Sequence, residues 1–329
     1  MIPASLHRYT LLLVMPGLML AETSIGGPVA GYVADPSNTV VRAILGVPGA
    51  FGFSDPLALP EGIARVRVAP GRDFALAERG SGAPVVLHLS DGSVNNMTPV
   101  DGAMPSADWV AFSPGAAAAV LFSSTSARLQ ILTGLPDSPA VALDLDATTL
   151  PEQPLSAAVS DDGGTLLVAS GRRVYLVPRG AATQPVLSAG AIVSMAILPG
   201  GSGAVVADRN TGSIHLLQNL PSAPAERVLV SGMLGVGKLY PSGDGTAVYV
   251  SQPGIEAVSA VDLTSGEVRT FPTGAAPVAL VPLRNRDTFL ISAKPGQPGW
   301  IFFRDGDAGR SVFIPAAQTY AAASEAQND

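Results

Sequence analysis

Residues 239–250 read Leu239-Tyr240-Pro241-Ser242-Gly243-Asp244-Gly245-Thr246-Ala247-Val248-Tyr249-Val250, and this stretch decides the fold class. A short apolar segment is followed by a turn of Pro, Ser, Gly and Asp, and then by a second apolar segment. Pro fixes its own φ and Gly adopts positive φ at little cost, so both residues are typical of tight turns between strands. The stretch therefore predicts a β-hairpin.

The same hairpin pattern occurs five more times along the chain. In one copy, for example, the apolar residues 109–112 and 119–122 flank the turn Ser113-Pro114-Gly115. The turn residues of the six copies align as Pro70, Pro114, Asp161, Pro199, Pro241 and Pro282. Successive turns are 44, 47, 38, 42 and 41 residues apart. A recurring spacing of this kind indicates an internal structural repeat.

Each repeat unit has room for four short strands. In the fifth unit, residues 255–261 and 267–271 are two further apolar segments, and they are joined by a polar turn. Four strands in ~40–45 residues is the period of one β-propeller blade. A single sheet of this size cannot cover both of its faces, so neighbouring sheets in a ring must cover them. A β-sandwich or two tandem β-domains would not need a common period.

The units resemble the YVTN and WD-type β-propeller repeats, whose inner hairpin often contains Ser-Pro-Asp-Gly between two apolar strands. The closest matches are Ser160-Asp161-Asp162-Gly163-Gly164 and Tyr240-Pro241-Ser242-Gly243-Asp244-Gly245. The resemblance covers about residues 28–315 and implies a fold rather than a function. The Trp-Asp and Gly-His pairs of WD repeats are missing, and Val248-Tyr249-Val250-Ser251 only approaches Tyr-Val-Thr-Asn.

The predicted fold is all-β: a β-propeller of six to seven four-stranded blades, with the N- and C-terminal strands closing the ring. Residues 29–33 and 39–45 are interpreted as two outer strands, and residues 300–303 and 311–314 as two late strands. Either the N-terminal pair extends the last of six blades, or the two terminal pairs form a closing seventh blade. Both arrangements remove an exposed sheet edge.

The N-terminus has the order of a secretory signal peptide. Arg8 precedes an apolar run over residues 11–20, and the small residue Ala21 precedes the polar Glu22. We expect residues 1–21 to be the signal and cleavage to follow Ala21, which places the mature protein in a secreted or periplasmic location. Residues 28–315 are then a single propeller domain. The polar tail over residues 316–329 is expected to be disordered.

Composition limits the partners of the chain. The formal net charge is −7, charged residues make up only 14% of the sequence, and no Lys/Arg cluster is present. Nucleic-acid binding needs a basic face, so it is not expected. The apolar N-terminal run is shorter than the about 20 residues that a membrane span needs, and we expect no span in the mature chain. There are no cysteines, and we expect a monomer.

Catalytic motifs are sparse. Residues 232–239 have the Gly and Lys spacing of a phosphate-binding loop, but Leu239 replaces the hydroxyl residue and Pro241 prevents the helix that should follow. The three histidines are His7, which lies in the expected signal, and His88 and His215, which lie in different units. Asp305 and Asp307 offer too few oxygens for a calcium loop. We therefore expect no catalytic residue, no metal and no cofactor.

The resemblance to propeller repeats implies a ligand-binding face at the loops that join the second and third strands of each unit. These loops are comparatively polar in a chain of low charge. The candidate binding residues are Glu78, Arg79, Arg172, Asp208 and Arg209. The predicted function is a non-catalytic binding module for an unknown protein or small molecule in the cell envelope. The alternative is a lactonase-like hydrolase that uses the central mouth of the propeller.

Overall fold

The computed structural model describes residues 27–178, 182–291 and 297–317, and these form seven antiparallel sheets. The strands are β1 Val29–Ala34, β2 Val41–Val47 and β3 Ala50–Pro56 in blade 1; β4 Ile63–Val68, β5 Phe74–Arg79, β6 Val85–Ser90 and β7 Ser93–Pro99 in blade 2; β8 Trp109–Phe112, β9 Ala118–Ser123, β10 Arg128–Thr133 and β11 Ala140–Asp146 in blade 3; β12 Pro154–Val159, β13 Leu166–Ser170, β14 Arg173–Leu176 and β15 Gln184–Ser188 in blade 4; β16 Ile192–Ile197, β17 Ala204–Asp208, β18 Ser213–Gln218 and β19 Ala225–Val230 in blade 5; β20 Leu239–Pro241, β21 Ala247–Gln252, β22 Ala257–Asp262 and β23 Val268–Pro272 in blade 6; and β24 Val281–Pro282, β25 Thr288–Leu290, β26 Gly299–Asp305 and β27 Ala308–Ile314 in blade 7. Two short 3-10 turns, Ala147–Thr149 and Pro253–Ile255, complete the secondary structure of the described residues.

The seven sheets are arranged as a β-propeller. The first strands of neighbouring blades contact one another: β1 with β4, β8 with β12, β12 with β16, and β16 with β20. These strands therefore lie nearest the axis. The second strands of blades 2 to 6 are buried almost throughout because each blade is covered on both faces by its neighbours. The predicted all-β propeller is confirmed, with seven blades.

The hairpin between the first and second strands is closed by the same backbone hydrogen bond in every blade. The first residue of the turn donates its backbone N–H to the carbonyl oxygen of the residue five positions later, at 2.8 to 3.0 Å. These first residues are Asp35, Ala69, Ser113, Ser160, Leu198, Ser242 and Leu283. Pro241 and Pro282 stand one residue before this position, whereas Pro70, Pro114 and Pro199 stand one after it, so the prolines of blades 6 and 7 are not equivalent to the others.

Blade 1 corrects the interpretation of the N-terminal strands. Residues 29–33 lie in the innermost strand of their own sheet, and the chain turns at Asp35 to pair β1 with β2. The turn is a seventh copy of the repeat in which Asn38, with φ 58°, occupies the left-handed position that glycines fill in blades 4 to 6 and Ala116 fills in blade 3. Within the described residues this sheet has three strands, while the other six have four.

The ring closes where blade 7 packs against blade 1. Leu283, Leu290 and Ile301 of blade 7 share one apolar cluster with Ala30 and Ile44 of blade 1. The N–H of Arg284 also donates to the carbonyl oxygen of Ala30 at 2.8 Å. The terminal strands thus close the ring by packing face to face. Neither merged arrangement is found, because β24 to β27 already complete blade 7 and β3 completes the pairing of β2.

The expected signal peptide over residues 1–21 lies outside the described residues, as does most of the polar tail over residues 316–329. No helix formed by the described part of the chain is long and apolar enough to cross a bilayer.

Candidate functional site

A cavity of about 390 Å³ opens on the axis, at the end of the propeller formed by the first hairpin turns. All six turn residues that align in the sequence line it: Pro70, Pro114, Asp161, Pro199, Pro241 and Pro282. The first strands lie nearest the axis, so the turns at their ends must meet around it. We call this space the axial cavity.

The turns around the axial cavity are tied to one another from blade to blade. The N–H of Gly71 donates to the carbonyl oxygen of Pro282 at 3.1 Å, and the Nε of Arg72 donates to the carbonyl oxygen of Gly115 at 3.1 Å. The N–H of Gly115 in turn donates to Oδ1 of Asp161 at 2.7 Å. These bonds join blades 7, 2, 3 and 4 into a collar, which holds the lining residues in fixed positions.

Arginine is the dominant charge at the axial cavity. The side chain of Arg284 is held by contacts within the protein. Its Nε donates to Asp73 at 2.5 Å and its Nη1 donates to the carbonyl oxygen of Val29. Its guanidinium also lies 5.5 Å from the ring centre of Tyr32. Arg286 is exposed, and its guanidinium has no hydrogen-bond or ion-pair partner among the described residues. The guanidinium of Arg72 donates a hydrogen bond through its Nε alone, to the carbonyl oxygen of Gly115. Arg72 and Arg286 therefore present free N–H donors to a ligand.

Tyr240 supplies the aromatic wall of the axial cavity. Its ring meets Phe289 edge to face, with ring centres 5.4 Å apart. Burial raises the pKa of Tyr240 to about 12, and the effect of Arg72, which lowers the pKa, is opposed by the negative charge of Asp161. The phenol therefore stays protonated at neutral pH and can both donate and accept a hydrogen bond.

Two carboxylates, Asp161 and Asp287, and the amide of Asn285 complete the polar lining. Oδ1 of Asp161 is held by Gly115, which leaves Oδ2 without a partner among the described residues. The cavity thus combines cationic donors with anionic and neutral acceptors. Such a lining suits a small polar molecule that carries an acidic group and hydroxyl groups.

The five residues predicted from the sequence lie at the other end of the propeller, at or beside the loops between second and third strands. Glu78 is 7% exposed; its carboxylate contacts Arg65 at 2.9 Å and Arg67 at 3.9 Å and accepts the N–H of Ala107 at 3.1 Å. The bond with Ala107 joins blade 2 to blade 3. Arg79 follows it and is exposed.

Asp208 has a similar structural environment in blade 5. It is 2% exposed and accepts N–H groups from Gly190, Ala191 and Asn210 and the hydroxyl of Thr211, at 2.8 to 3.1 Å. Burial alone would raise the pKa of Asp208, but these hydrogen bonds lower it overall. Arg172 and Arg209 are exposed.

The structure does not bring the five predicted residues to one mouth. Arg172 and Asp208 line a shared groove between blades 4 and 5, with Arg209 next in the chain, but Glu78 and Arg79 lie on blade 2. Their role in binding stays a prediction. The sequence reasoning missed the axial residues Arg72, Asp161, Tyr240 and Arg286, although the alignment of the turns already grouped them.

Across residues 27–178, 182–291 and 297–317, no three His, Asp or Glu side chains are grouped so that they could hold a metal ion.

Comparison with known proteins identifies the fold alone. No protein-family model matches the chain, and no curated protein matches it. A protein from Lactobacillus plantarum has a TM-score of 0.58 at 13% identity, over 88% of this chain and 96% of that chain. A candidate 6-phosphogluconolactonase from Bacteroides fragilis has a TM-score of 0.55 at 14% identity, over 88% and 94% of the two chains. A second one, from Bacteroides uniformis, has a TM-score of 0.50 at 13% identity, over 75% and 83%.

Proposed function

We propose that this chain is an exported, monomeric β-propeller that binds a small polar ligand in the axial cavity and does not transform it. The observation that carries the proposal is the convergence of six hairpin turns on one cavity whose arginines, Arg72 and Arg286, have free donors. The collar fixes the backbone turns that carry these arginines, which limits the backbone entropy lost when a ligand binds.

The lining suggests the class of ligand. Two guanidinium groups match a carboxylate or phosphate, and the arginine side chain is well suited to planar, charge-assisted hydrogen bonds. Asp161, Asn285 and Tyr240 can take hydroxyl groups around that anchor. A cavity of about 390 Å³ is at the small end of ligand sites. Sugar acids and sugar phosphates fit this description.

The experiment is a calorimetric titration of the purified protein with gluconate, 6-phosphogluconate and glucose 6-phosphate. At least one of these probes should bind the native protein, and Arg286→Ala should weaken that binding by about tenfold or more. The matched control is Arg310→Ala, since Arg310 is an exposed arginine on β27, away from the axis. Equal binding by both variants, or no binding of any probe, would refute the axial site.

A lactonase is the second candidate function, and two of the similar structures favour it because both are candidate 6-phosphogluconolactonases. Hydrolysis adds water across the ring ester and releases one proton from the acid formed at neutral pH. Asp161 is placed to orient that water, and Arg72 or Arg286 to stabilise the oxyanion. A pH-indicator assay on glucono-δ-lactone tests this. Turnover above the spontaneous rate that is lost in Asp161→Asn would replace the binding proposal.

Export is tested on the protein as the cell makes it. Mass spectrometry of protein isolated from the culture medium or the periplasm should find Glu22 as the first residue, because a signal peptidase cuts after a small residue. A chain that stays in the cytoplasm with residues 1–21 attached would contradict export, and it would leave the axial binding proposal untouched.

A further inference from the structure

A groove of about 610 Å³ lies between blades 4 and 5, on the side of the molecule away from the axial cavity. Its walls come from the turn before β14, from β14 itself and from β18. The charged and titratable residues that line it are Arg172, Arg173, Asp208 and His215.

The two arginines are consecutive and free. Arg172 and Arg173 are both exposed, and neither guanidinium has a hydrogen-bond or ion-pair partner among the described residues. The chain has only 19 Lys and Arg residues in total and a net charge of −7, so two unpaired arginines in one groove form a distinct positive site.

The carboxylates near the groove do not neutralise this charge by direct pairing. Asp208 already accepts four hydrogen bonds from Gly190, Ala191, Asn210 and Thr211. Glu226 is bonded to Nδ1 of His215 at 2.8 Å. Glu152 lies against Gly171, which precedes Arg172, and it lines a separate cavity between blades 3 and 4.

His215 adds a second, independent observation. Its side chain is 12% exposed, and Nε2 is buried with no hydrogen-bond partner among the described residues. A buried polar atom without a partner is costly, so such atoms are normally satisfied by protein, water or ligand. A ligand that enters the groove and displaces the atoms covering Nε2 would supply the missing partner.

We propose that this groove binds a phosphate group, with Arg172 and Arg173 as its cationic partners and His215 as a hydrogen-bond partner. Phosphate is favoured over sulfate because, with a second pKa of about 6, it exchanges between a monoanion that has a P–OH group and a dianion that has bare oxygens alone. It can therefore satisfy Nε2 of His215 whether that atom carries the proton or not. Sulfate has no O–H to donate. The site is separate from the axial cavity and does not depend on it.

The test is a calorimetric titration of the full chain with inorganic phosphate, glycerol 1-phosphate and sulfate, at one ionic strength held with sodium chloride. Phosphate or the phosphomonoester should bind more tightly than sulfate, and the double variant Arg172→Ala/Arg173→Ala should weaken that binding by about tenfold or more. Tighter binding of the inorganic ion identifies free phosphate as the ligand; tighter binding of the ester identifies a phosphorylated molecule.

Three controls make the result decisive. Arg310→Ala removes an exposed arginine of blade 7 that does not line the groove, and it should bind as the native protein does. His215→Leu should weaken phosphate binding by about threefold or more while leaving sulfate binding nearly unchanged. Full phosphate binding by the folded double variant, or a loss of phosphate binding in Arg286→Ala at the axial cavity instead, would overturn the proposal.

Discussion

The backbone N–H of Gly71 in blade 2 donates to the carbonyl oxygen of Pro282 in blade 7 at 3.1 Å, although blade 1 lies between these two sheets in the ring. The turns of six blades line the axial cavity, four of them joined in the collar, and the turn of blade 1 at Asp35 does not line it. Blade 1, which has three strands within the described residues, completes the ring but contributes no residue to the lining of the axial cavity.

This contact predicts that Gly71→Ala is strongly destabilising. Gly71 has φ +65°, and an added Cβ would lie 3.0 Å from the carbonyl oxygen of Leu283, which is backbone and cannot easily move. The left-handed conformation costs ~1–2 kcal/mol for a residue with a Cβ, and the clash adds to it. Urea unfolding should show a loss of about 2–3 kcal/mol.

Gly62→Ala is the matched control for that measurement. Gly62 also has positive φ, +80°, but an added Cβ meets no atom within 4 Å. Its cost should be the backbone part alone, about 1 kcal/mol. An equal loss of unfolding free energy in the two variants would show that the contact between blades 2 and 7 does not contribute to stability.

The closure of the ring predicts a large effect at Arg284. This side chain is 33% exposed, yet it contacts Asp73 of blade 2 and both Val29 and Tyr32 of blade 1. Arg284→Ala should lower the free energy of unfolding by about 1.5–3 kcal/mol, because hydrogen bonds and stacking are lost together. Arg310→Ala, whose side chain is 65% exposed and 4.0 Å from Asp305, should cost less than about 0.5 kcal/mol. The reverse order would contradict this account of ring closure.

The turn of blade 6 predicts a pH-dependent contribution from Asp244. The pKa of Asp244 is lowered from 3.8 to about 2, first by the hydroxyl of Ser242 and then by the N–H and hydroxyl of Thr246. Because the folded-state pKa is depressed, the charged form stabilises the protein above pH 3.8, and this contribution is lost as the pH falls to about 2. Asp244 is exposed, so solvent screening limits the effect to about 1 kcal/mol.

Chemical unfolding of the native protein and of Asp244→Asn measures this directly. The stability difference should be present at pH 6 and shrink between pH 3.8 and about 2. Asp101→Asn is a suitable control because Asp101 is exposed and its side chain has no hydrogen bond within the described structure. A difference at Asp244 that is constant over this pH range would show that charge plays no part in the turn.

The repeat could be predicted from the sequence because each unit closes its turn with the same backbone hydrogen bond. Ser160 and Ser242 show why: each hydroxyl accepts the N–H of the residue five positions on and donates to the Asp two positions on. The copy at Asp35 was missed because Asp35 stands only 34 residues before Ala69, whereas successive turns of the other copies are 38 to 47 residues apart.

The position of the candidate site could be predicted only in part. Glu78 and Asp208 were chosen as candidate binding residues because they are polar. In the structure, the oxygens of both carboxylates already accept hydrogen bonds from groups of their own or neighbouring blades. A sequence shows which residues are polar and does not show which of their atoms already have partners. The axial residues carry an equally plain sequence signal, since Arg72 and Arg286 each follow an aligned turn proline.

The central claim is that the ligand of this propeller lies within the collar of hairpin turns. A crystal structure of the protein grown with the tightest-binding sugar acid or sugar phosphate tests it most directly. We predict ligand density on the axis, in contact with Arg286 and Tyr240. Density at the opposite end instead, beside Arg79 or Arg209, with an empty axial cavity, would contradict the account.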